Sequence, residues 1–255
     1  MKSRHLHISI LTVFIFLAGW ELVVRGLGIQ IVILPAPSLV VSALYAYLLS
    51  GDLVSDVLAT GRRIILGLGL GSLLGIGIGL LIGWYPRLRA AFYPLVAATF
   101  PIPKIALVPL MIIWFGLWDA YKIVLVVSGV FYIMVINTMA GVNGVNRVTI
   151  MACRNLGARD SDIFRKVALP ASLPIIFAAL RISFSVSFIL VIAAEMIISE
   201  VGIGYFIANA GQLLETEKVF AGLALTAILG FLGDQLIGWA EKHLSPWQRP
   251  TRSRP

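Results

Sequence analysis

Charge is what this sequence has least of. Asp, Glu, Lys and Arg make up 13% of its 255 residues, about half of the roughly 25% usual in soluble domains. So little polar surface cannot wrap a globule of this size, which argues against a soluble two-domain enzyme. A single cysteine, Cys153, excludes an internal disulfide and any cysteine-based zinc or iron–sulfur site within one chain. Histidine is scarce as well: His5 and His7 sit in a basic N-terminal tip and His243 near the other end, a spacing that predicts no metal site. No glycine is followed by lysine, so the G-x-x-x-x-G-K-[ST] loop that cradles nucleotide phosphates is absent. No nucleophile–base or two-carboxylate arrangement stands out either.

What is present is apolar length. Hydrophobic residues make up 59% of the chain, and its mean hydropathy is +0.97. A bilayer core takes roughly 20 apolar residues per helix. On that measure the sequence predicts an all-α polytopic membrane protein with six spans, near residues 8–24, 64–84, 95–117, 123–141, 173–198 and 220–239. The first follows MKSRHLH and has the outline of a signal peptide. Its apolar stretch is long for one, and Gly19-Trp20-Glu21 is a poor cleavage site, so a retained helix is expected.

The 20 basic residues outnumber the 12 acidic ones. A basic excess marks either a nucleic-acid partner or the cytoplasmic side of a membrane protein. With the N-terminus inside and six alternating spans, thirteen basic residues fall in cytoplasmic segments and five in outer ones. That bias favours an N-in, C-in topology, and no aromatic-basic stripe supports a nucleic-acid reading. Arg62 and Arg63 fall outside. The stretch Pro37–Arg63 reads as an amphipathic segment on the outer face, with Asp52 and Asp56 offsetting the two arginines.

Within the spans, a few residues stand out. Gly67, Gly71, Gly75, Gly79 and Gly83 recur every four residues in the second span. At 3.6 residues per turn they form one slowly winding stripe that lets another helix approach closely. A contact inside one subunit is the favoured reading; a surface between subunits or moving halves is the other. The third span, PIPKIALVPLMIIWFG, is interrupted by Pro101, Pro103 and Pro109, and such irregular backbone at membrane depth is tolerated where it is buried in protein or lines a cavity. Lys104 among these prolines is either a pathway charge or a snorkelling side chain. Arg181 and Glu195 lie fourteen apart in the fifth span, about 21 Å along a helix, so each needs a partner other than its neighbour. Arg181 either attracts an anion in a central pathway or faces the cytoplasmic interface; Glu195 reads as a hydrogen-bonding group near the outer end, and with Lys104 and Arg181 it is a candidate for the substrate pathway.

The largest cytoplasmic loop, 142–170, reads MACRNLGARDSDIFRKVALPASLP over its second half and into the next span. Asn155-Leu156-Gly157 signals a helix stop. Asp160 or Ser161 suits the cap of a following short helix, with Asp162 in its first turn. Ile163, Phe164 and Val167 have helical spacing, and Pro170 is expected to end that helix, with Pro174 opening the fifth span. Two short helices joined at Gly157 would thus offer an apolar and basic knob, with Ile163 and Phe164 exposed, to a groove on a partner.

This loop resembles the EAA loop of ABC importer permeases: Glu-Ala-Ala, three residues, Gly, nine residues, Ile-x-Leu-Pro. Here it stands as Met151-Ala152-Cys153, Gly157 and Val167-Ala168-Leu169-Pro170. Met151 replaces the family's glutamate, so a salt bridge made there has no counterpart. The stretches LPAPSLVVSAL, PIPKIALVPLMIIWFG and VGIGYFIANAGQLLETEKVFAGL resemble permeases of the nitrate, sulfonate and taurine type. The resemblance implies one transmembrane permease domain over 1–255, with the type I importer fold, in the bacterial cytoplasmic (inner) membrane. It implies two cytoplasmic ATPase subunits that bind the ATP and Mg, an extracytoplasmic solute-binding protein and a second permease copy. Coupling would run through Ala152, Cys153, Gly157, Ala158, Ile163, Phe164, Leu169 and Pro170. The solute expected is a small oxyanion or sulfonate. An ion-coupled secondary transporter is the alternative, but it predicts inverted repeats with paired broken helices, and only the third span looks broken. A membrane-embedded enzyme would want clustered intramembrane His, Asp or Glu.

Overall fold

The computed structural model describes the backbone of residues 2–244; the side chains of residues 1–7, 9, 10 and 244–255 lie outside the described set, and with them His5 and His7. The described residues fold into helices α1 (Lys2–Gly26), α2 (Pro37–Ser50), α3 (Asp52–Trp84), α4 (Pro86–Thr99), α5 (Val108–Phe115), α6 (Asp119–Asn143), α7 (Arg147–Asn155), α8 (Asp160–Ile163), α9 (Leu169–Ile197), α10 (Ile203–Gln212) and α11 (Thr216–Leu244). Among the described residues, α3, α6, the run through α8 and α9, and α11 are each long and apolar enough to cross a membrane. The pair α4 and α5, bent by 86° at its break, has the length and composition of either a fifth, broken span or a re-entrant loop. The chain packs as two compact units: residues up to 60 with 195–228, and residues 61–194 with the described part of 229–255.

In the second unit, glycines set the helix contacts. A Cβ built at Gly67, Gly71, Gly75, Gly79 or Gly83 would come within 2.5–2.9 Å of the Cβ of Val126, Val130, Met134, Thr138 or Val142, in that order. Both numbers rise by four at each step. The two helices therefore run parallel, in one-to-one register, over roughly 24 Å of axis. Only the missing side chains allow so close an approach. Helix α9 runs the other way along α6, since Gly129 faces Leu190 and Gly141 faces Ser172. The C-terminal half of α11 is in turn antiparallel to α9, with Gly233 against Phe184 and Gly238 against the Arg181 guanidinium.

Parallel α3 and α6 decide what the bent pair does. A re-entrant loop between them would return the chain to its starting side and make α6 antiparallel to α3. The pair therefore crosses as one broken span, as the prolines predicted. Pro101 and Pro103 lie in the break, Pro94 inside α4 and Pro109 in the first turn of α5, where its missing N–H costs nothing. Lys104 Nζ donates to the Thr99 carbonyl at 3.1 Å across the break and lies 4.1 Å from the Tyr132 ring centre.

Three expectations are corrected here. Residues 52–63 are not a separate surface segment but the first turns of α3. Asp52 and Asp56 also do not offset Arg62 and Arg63. Both arginines pair with Asp119 at the start of α6, Arg63 at 2.6 Å while 3% exposed. Asp56 lies on a different turn of α3 and is engaged elsewhere. Nor does Pro170 end the helix before it. The chain is helical from Asp160 to Ile197, with a wide π turn at Phe164–Ala168 and Pro174 inside α9. A proline ring clashes with the carbonyl four residues back; the wider turn ahead of Pro170 makes room for it.

Candidate coupling and transport sites

The loop between α6 and α9 forms two short helices with a glycine joint, built by local chemistry. Asn146 caps α7, its side chain accepting from Val148 N at 2.8 Å. At the other end Gly157 takes φ +80°. Gly157 N donates to Arg154 O at 2.9 Å and Ala158 N to Cys153 O at 3.0 Å, the paired bonds of a Schellman stop. Arg154 then reaches Asp160 at 3.0 Å, tying the end of α7 to the start of α8. Arg159 takes the N-cap position of α8 without a side-chain bond, ahead of Asp160 and Asp162 in the first turn.

Of the loop residues expected to meet a partner, Ala152 and Gly157 are exposed, and Cys153, Ala158, Leu169 and Pro170 are half-buried. Ile163 and Phe164 are not the exposed pair expected. Ile163 is 1% exposed, and Phe164 packs edge-on against Trp84 with ring centres 5.2 Å apart. The Phe164–Trp84 contact holds the loop onto the end of α3. The apolar surface left outside belongs to Val148, Met151 and Leu156, the last 88% exposed. Helical spacing found an apolar face but could not say that α3 covers it.

Arg181 and Asp234 form a bidentate pair between α9 and α11, Nε to Oδ1 at 2.7 Å and Nη2 to Oδ2 at 2.6 Å. Their side chains stay 42% and 28% exposed within membrane-length helices. Lipid is a costly neighbour for charge, so this face suits water or protein. Asp234 was not singled out from sequence, where a lone Asp in a long apolar run was the available signal.

Glu195 belongs to the first unit and is 1% exposed. There, three consecutive backbone N–H groups opening α10 are each received by a side chain. Gly202 N donates to Asp56 Oδ1 at 2.6 Å, Ile203 N to Thr60 Oγ1 at 3.0 Å, and Gly204 N to Glu195 Oε2 at 2.9 Å. Thr60 Oγ1 also donates to the Glu195 carboxylate, 2.9 Å from Oε1. Asp56 and Thr60 are one helical turn apart on α3, so both reach the same helix end. The orphan donors of α10 are thus capped by α3 and α9 rather than by local sequence, with carboxylates at the positive end of the helix. Tyr47 OH donates to Asp56 Oδ2 at 2.5 Å. Burial first, and then this bond, raises the Tyr47 phenol far above its ordinary pKa, so it remains a donor.

Comparison with known proteins places this geometry. A family model described as "Binding-protein-dependent transport system inner membrane component" matches residues 71–246. The chain is 34% identical over 235 residues to the aliphatic sulfonates transport permease protein SsuC of Bacillus subtilis, covering 92% of this chain and 85% of that one. It is 37% identical over 147 residues to the taurine transport system permease protein TauC of Escherichia coli, covering 58% of this chain and 54% of that one. Among solved structures it is similar to a chain of the inward-facing MetNI methionine ABC transporter, with TM-score 0.64 at 21% identity, over 76% of this chain and 94% of that one.

Proposed function

Because the chain belongs to the binding-protein-dependent transport system inner membrane components, and so is a permease subunit of an importer, we propose that its solute is a small sulfonate or oxyanion. Taurine, alkanesulfonates and nitrate are the leading candidates. The likeness to SsuC along 92% of the chain carries this reading. The whole chain acts as one permease domain that works as a pair of copies, on two cytoplasmic ATPase subunits and with an extracytoplasmic solute-binding protein. ATP and Mg bind to the ATPases, which do the hydrolysis; this chain contributes the pathway.

Residues 147–169 transmit the ATPase movement. Val148, Met151 and Leu156 supply the apolar contact, Ala152 and Cys153 pack at its edge, and the Gly157 joint fixes the angle between α7 and α8. Ile163 and Phe164 carry the movement to Trp84 and hence to α3. ATP binding closes the ATPases and favours the outward-open state; hydrolysis and product release favour the inward one, a switch driven by differential binding to two states. The Arg181 guanidinium is the candidate anion contact on the way. Lys104, drawn onto the Thr99 carbonyl and the Tyr132 ring, braces the broken span. Glu195 anchors α10.

The test is uptake by proteoliposomes holding the permease, its ATPase and its binding protein, against labelled taurine, an alkanesulfonate and nitrate. Saturable ATP-dependent uptake of one of these supports the reading. Uptake confined to an uncharged solute counts against it.

A further inference from the structure

Asp56, one of the three residues that anchor α10, also borders a cavity of about 530 Å3 in the first unit, between α2, the start of α3, the Glu200–Val201 turn and α10. It has an aromatic wall: the rings of Tyr47 and Phe206 stack with centres 3.8 Å apart and planes within 5°. Its charge is unbalanced. Asp56 is engaged by Tyr47 and Gly202. Lys218, the cavity's one cation, is closed onto both carboxylate oxygens of Glu215 at 2.7 Å. Asp52 and Glu200, both exposed, have no ion-pair partner among the described residues. The cavity therefore presents unneutralised carboxylate beside an aromatic surface, a setting that attracts a cation and repels a sulfonate. A planar guanidinium gains twice here, from the carboxylates and from the ring face.

The cavity lies wholly in the segments 37–63 and 199–218, which the distribution of basic residues places on the outer side. A binding-protein-dependent importer must receive its partner on that side. We propose that this cavity is a docking socket for a basic side chain, preferably arginine, on the surface of the solute-binding protein. This rests on the importer reading above. The socket would seat and orient the partner and leave solute selection to the partner's own site.

The test titrates purified binding protein over the reconstituted permease–ATPase complex and reads the half-saturating concentration for ATPase stimulation at low and moderate salt. Asp52→Asn with Glu200→Gln should raise that concentration by about three- to tenfold, with a weaker salt dependence than the unaltered complex shows. Glu200→Lys should raise it further, and one Arg→Glu or Lys→Glu change in a panel on the binding-protein surface should restore it. An unchanged half-saturating concentration and salt dependence in both variants would overturn the socket. So would uptake of a labelled guanidinium compound that the double variant abolishes, since the solute would then occupy the cavity. Failure of the importer reading looks different: the unaltered complex would not respond to the binding protein at all.

Discussion

Gly202 stands directly against Glu195. A Cβ at Gly202 would lie 2.5 Å from the Glu195 carboxyl carbon and 2.6 Å from Oε2, and the backbone there has φ +130°. The carboxylate occupies the space a side chain would need, and so reaches the N–H of Gly204. Gly202→Ala therefore meets both a steric clash and a strained backbone, the latter alone worth about 1–3 kcal/mol. It should lower the thermal midpoint of the detergent-purified protein. Glu195→Ala removes the acceptor for a buried N–H, a cost of about 1–3 kcal/mol, and should do the same. Glu195→Gln keeps the shape and one acceptor and should be milder.

The glycines of α3 divide sharply in their expected tolerance. Gly75→Ala would press on the Phe131 carbonyl at 2.8 Å and on Met134 Cβ, an overpacking cost of about 1–3 kcal/mol. Gly69 and Gly77 have nothing within 4 Å, so alanine at either should be neutral or raise stability by about 0.5–1 kcal/mol through helix propensity. Thermal scans of the three variants separate these outcomes. A penalty at Gly69 or Gly77 equal to that at Gly75 would mean that a second surface packs on the other side of α3.

Arg181 and Asp234 should behave as a unit. Arg181→Ala and Asp234→Ala each strand a charge in a membrane helix, so the double variant should be less impaired than the sum of the two. The coupling in a double-mutant cycle on folded yield should be roughly 0.5–3 kcal/mol. Uptake kinetics then address the pathway. If Arg181 meets the solute, Arg181→Lys should raise the KM for a sulfonate, because an ammonium cannot reproduce the guanidinium's paired contacts. A KM unchanged at normal yield would leave the pair a structural one.

Gly157→Asp tests the coupling loop. There is open space around Gly157, so the cost comes from φ +80° alone and stays near the 1–2 kcal/mol of a left-handed residue. Membrane insertion should hold. The joint between α7 and α8 should shift, and ATP-driven uptake should fall while the ATPases alone keep turning over. Uptake equal to that of the unaltered protein would remove the loop from the coupling route.

Much of this was legible in the sequence because lipid permits so few solutions. Long apolar runs, the broken third span and the glycine period of four all follow from the need to satisfy backbone polar groups and bring helices close. The Gly157 stop was readable for a different reason: its bonds are local. What escaped was tertiary. The partner of Arg62 and Arg63 is Asp119, more than fifty residues away. Arg181 finds Asp234 on another helix, and α10 is capped by Asp56, Thr60 and Glu195 from two others. Pro170 looked like a stop, but a π turn absorbs it. Ile163 and Phe164 had the spacing of an exposed face, and only the position of Trp84 shows that the face is covered.

The most direct test of the account is solute uptake by proteoliposomes assembled with and without the ATPase subunits, each with and without an imposed proton or sodium gradient. The account predicts accumulation only when ATPase, ATP inside the cytoplasmic compartment and loaded binding protein are all present. Accumulation by the permease alone, driven by a proton or sodium gradient, would contradict it.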